Sequence, residues 1–62
     1  MLQWEYTIVD ISQERQEPIP EWVYRQEQRM GEYGREGWEL VTVLRLPDVR
    51  ETFAMMRRPK TG

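Results

Sequence analysis

Two carboxylates flank a tryptophan in the run Glu36-Gly37-Trp38-Glu39, and the cations of the C-terminal third include Arg45, Arg57, Arg58 and Lys60. Paired carboxylates can divide acid and base roles when their environments differ. The rest of the catalytic repertoire is missing. The chain has no His and no Cys, and its one serine, Ser12, has no imidazole to activate it; nucleophilic catalysis needs a nucleophile and a base together. Glu36 reads as a solvated loop residue and Glu39 as an outward strand residue. A monomer of 62 residues also lacks room for a cleft. No catalytic residue is expected, and the chain is read as not an enzyme.

Metal chemistry fares no better. Without His or Cys only hard, oxygen-seeking ions such as Ca²⁺ or Mg²⁺ remain. Asp10 and Asp48 are far apart in sequence, and no Asp-rich loop has ligand spacing. Neither a metal site nor a resident cofactor is expected. Binding is the better use of these residues. Guanidinium groups grip phosphates in bidentate fashion, and an indole offers a stacking surface. Trp38 with Arg45, Arg57 and Arg58 is therefore the candidate small-molecule site, suited to a nucleotide- or flavin-like compound held between subunits. The formal net charge of −2 gives wholesale nucleic-acid binding no electrostatic drive.

The elements that must position these residues follow from periodicity. Residues 2–11 alternate as a strand, with Trp4, Tyr6 and Ile8 on one face and Glu5, Thr7, Val9 and Ile11 on the other. A polar connector then leads to Pro18-Ile19-Pro20, and a helix is expected over about 20–33. Pro20 suits its first turn and Glu21 its N-terminal dipole. Ile19, Trp22, Val23, Gln26, Met30 and Tyr33 form one stripe at three- and four-residue steps, interrupted by Gln26. Gly34 is placed at the left-handed C-cap, with Gly37 as a second loose turn.

Residues 38–46 form the second strand, with Trp38, Leu40, Thr42, Leu44 and Leu46 on one face and Glu39, Val41, Val43 and Arg45 on the other. Pro47 to Arg50 makes a tight reversal. Residues 51–58 form the third strand, ended by Pro59. The chain is one domain, residues 1–62, of the α+β class: strand, helix, strand, strand, with the helix packed on a three-stranded sheet. An antiparallel sheet in order 1-3-2 is favoured over one with the third strand outside the second.

A core this small rarely supplies more than ~3–5 kcal/mol on its own, and oligomerisation is a common remedy when disulfides and metal are absent. With one helix on one face, the other face is expected to keep Val9, Ile11, Val41, Val43 and Met56. That patch is the expected contact of a homo-oligomer, a dimer or larger.

Trp4-Glu5-Tyr6-Thr7-Ile8-Val9, the stretch from Met30 through Val41, and Phe53 through Lys60 together resemble a small prokaryotic and phage family catalogued as domain of unknown function 4177. The core of the likeness is Glu36-Gly37-Trp38-Glu39-Leu40-Val41. Tyr33 stands where that family usually has Leu. The resemblance implies the same strand-helix-strand-strand layout and a bacterial or phage source, and no activity. The layout is also similar to that of dodecins, flavin-storing proteins with a Trp at the start of the second strand, a likeness of arrangement alone.

No apolar run approaches the ~18 residues of a membrane span, and the first residues lack a signal-peptide pattern. A cytoplasmic protein without membrane contact is expected. Two roles stay open: a non-enzymatic, homo-oligomeric binding or interaction protein, and an adaptor or inhibitor docking on a protein partner through its sheet.

Overall fold

A computed structural model describes residues 2–60. Strand β1 runs Gln3–Asp10, helix α1 Ile19–Arg35, strand β2 Glu39–Arg45 and strand β3 Thr52–Lys60. The three strands form one antiparallel sheet in the order β1-β3-β2. The α+β fold and the central place of the last strand are as the sequence predicts.

The helix starts at Ile19 with Pro20 in its first turn and Glu21 beside the N-terminal dipole. It ends later than its glycines imply. Gly34 is still helical, and the left-handed residue is Gly37, at φ 89°. The Gly37 N–H donates to the Gly34 carbonyl and the Trp38 N–H to the Tyr33 carbonyl, both at 3.0 Å. That pair of bonds is a Schellman motif, and it delivers Trp38 to the mouth of β2.

The β2–β3 reversal places Pro47 and Asp48 at its centre, with Asp48 at φ 64°. The Val49 N–H donates to the Leu46 carbonyl at 3.4 Å, the pattern of a type II turn. Strand β3 continues through Pro59, which lies opposite Trp4, to Lys60. Beyond Arg57 the ladder to β2 has ended, so β3 has a free side there and tolerates the missing proline N–H.

The helix covers the face of the sheet that the alternation pattern leaves open, and this overturns part of the expected interface. Val9, Ala54 and Met56 are the buried apolar residues, at 3%, 1% and 3% exposure. Val9 lies opposite Ala54, and Thr7 opposite Met56. The helix side that meets them carries Trp22, Arg25, Gln26, Arg29, Met30 and Tyr33, the less exposed positions of α1, at three- and four-residue steps. Ala54 has the smallest side chain in the ladder and lies on this face, where a helix can approach closely. The bulkier Trp4, Tyr6 and Phe53 are on the other. Val9 and Met56 are thus core residues of a single chain.

Strand β2 departs from simple alternation. Leu40 faces Met56 and Thr42 faces Met55, which leaves Val41 as an extra residue, a β-bulge. The bulge breaks the alternation. Glu39 opposes Arg57, while Val43 opposes Ala54 and Arg45 opposes Thr52. Glu39 therefore lies on the open face, and Val43 and Arg45 on the helix side.

Candidate interaction surfaces

Arg57 and Arg58 are neighbours on a strand, so their side chains project to opposite faces. Each meets a tryptophan and a glutamate there. On the open face the Arg57 guanidinium lies 4.0 Å from the centre of the Trp4 ring, and its Nε donates to Glu39 Oε1 at 2.6 Å. On the helix side the Arg58 guanidinium lies 4.3 Å from the centre of the Trp38 ring. Its Nε donates to Glu5 Oε1, and its Nη1 to the Glu36 carbonyl at 2.9 Å. Arg57 thus ties all three strands together, and Arg58 ties β1 and β3 to the turn that leads into β2. The hydrogen bond to Glu39, and with it a contact to Tyr6, holds the Arg57 guanidinium above its ordinary pKa.

This arrangement divides the four residues of the expected small-molecule site. Trp38 and Arg58 are brought together, Arg57 is on the other face, and Arg45 is at the far end of β2, opposite Thr52. Glu39 and Arg45 are six residues apart on that strand, roughly 20 Å at the strand rise. A stacking ligand would also have to compete with Arg58 for the ring of Trp38. The four do not form one site within a chain.

The open face carries the apolar surface instead. Tyr6 and Ile8 are 57% and 53% exposed, and Trp4, Leu44, Phe53 and Met55 are half-buried. Register puts them side by side: Ile8 against Met55, Thr42 against Met55 from the other edge, and Leu44 against Phe53. Strand rise and spacing give this face about 27 Å by about 14 Å, a footprint of roughly 400 Å². Glu39, Thr42 and Arg57 take part of that footprint; the rest is exposed apolar surface of the kind that often marks a contact site.

The remaining residues of the expected interface lie elsewhere. Val41 and Val43 are 44% and 50% exposed along the edge strand β2. Ile11 and Val43 line a groove on the helix side, together with Ile19, Trp22 and Arg45. The Trp22 indole Nε1 donates to the Ile11 carbonyl at 2.8 Å.

Arg25 escapes a reading based on periodicity alone. Its Nε and Nη2 take both oxygens of Glu17 at 2.9 and 2.8 Å, and Nη2 also reaches the Ser12 carbonyl at 3.1 Å. The Glu14 N–H donates to Glu17 Oε1, and Gln16 turns the chain at φ 64°. The polar connector is thus clipped to the helix. Ser12, the one serine, works within this turn: its N–H donates to Asp10 Oδ1 at 2.9 Å, and its Oγ accepts from the Thr52 N–H at 2.8 Å. The Arg25 hydrogen bond, followed by the Glu14 N–H, holds the Glu17 carboxyl below its usual range. Ser12 does the same to Asp10, through its hydroxyl and then its N–H.

Among the described residues no group of three or more His, Cys, Asp or Glu is placed to hold a metal ion. No helix there is long and apolar enough to cross a membrane. No family model, curated protein or solved structure matches the chain.

Proposed function

We propose that this chain is a non-enzymatic interaction protein that works as a homo-oligomer, its copies meeting through the open face of the sheet. The observation that carries the reading is the contrast between two sets of side chains. Among the described residues Val9, Ala54 and Met56 form the buried apolar core, while Tyr6, Ile8, Leu44, Phe53 and Met55 share a face that no other described element covers. Removing that face from water adds to a core that is too small by itself. A sheet-on-sheet contact with a second copy is the simplest way to do it.

The area sets the strength. A footprint near 400 Å² is about half of the ~800 Å² per partner in a standard interface. A dimer held by this face alone is reversible and concentration-dependent, and a second contact is needed for a permanent assembly. Light-scattering mass across a range of protein concentrations tests the reading: a rise from the chain mass toward a discrete multiple supports it, and the chain mass throughout opposes it.

The other reading, an adaptor to which a protein partner adds a strand, draws on β2. Leu40, Val41 and Val43 are each exposed along that edge, and an exposed edge is a template for strand addition. The bulge at Val41 interrupts the template. The sheet face is the stronger contact.

A further inference from the structure

On the helix side the buried residues Val9, Ala54 and Met56 belong to β1 and β3, whereas Leu40 and Val43 of β2 are exposed. Between the helix flank and β2 opens a groove of about 720 Å³, within the range of small-molecule sites. Ile19, Trp22 and Val43 give it an apolar wall, and Arg45 and Arg50 a basic end. Arg25, Arg57 and Arg58 each have a carboxylate within 4.0 Å; Arg45 and Arg50 have none among the described residues. Glu51 shares the rim and leaves the pair of arginines with a net charge of one.

We infer that this groove binds a small amphiphilic carboxylate, its head on Arg45 and Arg50 and its aliphatic or aromatic body along Ile19, Trp22 and Val43. A guanidinium takes a carboxylate through two parallel hydrogen bonds, and the apolar wall gains by burial of the body. Glu51 disfavours a dianionic head through like-charge repulsion. The groove and the open face lie on opposite sides of the sheet, so the inference does not rest on self-association, and the two are measured separately.

The test is a titration of the ¹⁵N-labelled protein with decanoate below its micelle concentration, followed by amide and indole shifts. Decyltrimethylammonium and acetate serve as probes with the wrong charge and with no body. Saturable shifts at the Trp22 indole N–H, Val43 and Arg45 are expected with decanoate, none that saturate with the cation, and binding of acetate at least about tenfold weaker. Arg45→Ala and Arg50→Ala should each weaken decanoate by about tenfold or more, and Tyr6→Ser, on the other face, should not. Equal binding of the cation, shifts confined to the open face, or groove shifts that follow protein concentration without ligand would overturn the inference; the last would put a second copy in the groove. Should an arginine variant fail to fold, the decanoate and cation titrations of the unaltered chain still decide.

Discussion

The guanidinium of Arg58 stacks on the ring of Trp38 at 4.3 Å and holds the start of β2 against β3. Trp38 reaches that position because the helix C-terminus hands it over through the Tyr33 carbonyl. The stack joins the end of the helix to the sheet. A double-mutant cycle with Arg58→Leu and Trp38→Leu should give a coupling of about 0.5–1 kcal/mol, read from urea unfolding. The modest size follows from the 35% exposure of the Arg58 side chain, which lets water screen it.

Gly34 and Gly37 should respond in opposite senses. Gly37 sits at φ 89°, and a Cβ there would meet nothing within 4 Å, so the cost of Gly37→Ala is purely one of backbone, about 1–2 kcal/mol. Gly34 is an open helical position with equal room, and Gly34→Ala should stabilise by about 0.5–1 kcal/mol. Thermal melting of the two variants checks both signs. A loss at Gly34 would put the helix end where the sequence alone places it.

The element order, the antiparallel 1-3-2 sheet and most boundaries are legible in the sequence because alternation, prolines and the glycine-tryptophan junction act locally. The faces are not. In β1 both faces are partly apolar, and Trp4, Tyr6 and Ile8 read as the natural core; nothing in the pattern announces that Ala54 and Val9 would receive the helix. The bulge at Val41 has no local signal, yet it puts Glu39 and Arg45 on different faces, where simple alternation puts them on one. The helix runs on through Gly34 to Arg35 because two glycines compete for one cap. The Arg25–Glu17 clip pairs residues in different elements, and only the folded connector brings them together.

Among the described residues Gln26 is the buried polar one, 8% exposed, and neither its Oε1 nor its Nε2 has a hydrogen-bond partner there. An amide left in that state costs about 1–3 kcal/mol of desolvation. Gln26→Leu keeps a similar volume and removes the unpaired atoms. Its unfolding free energy should rise by about 1–3 kcal/mol, measured by urea titration.

Acid should destabilise the chain through its connector. Asp10 and Glu17 are held below their ordinary pKa of about 4. In the folded state they release protons that the unfolded chain keeps, so their contribution is present above about pH 4 and is lost as pH falls through the lowered values. The chain has no His, the side chain whose ordinary pKa lies between about pH 5 and 8. The melting temperature should therefore be flat across that span and fall in acid, and Glu17→Gln should make the acid limb shallower.

Sedimentation equilibrium of the unaltered chain beside Ile8→Lys and Val43→Lys decides whether copies meet through the open face. Ile8 lies on the open face and Val43 on the helix side, both near half exposure, so either lysine is tolerated by the monomer. A concentration-dependent oligomer is expected for the unaltered chain and for Val43→Lys, and a monomer for Ile8→Lys. Monomeric Val43→Lys with oligomeric Ile8→Lys would place the contact on the other side of the sheet and contradict that expectation.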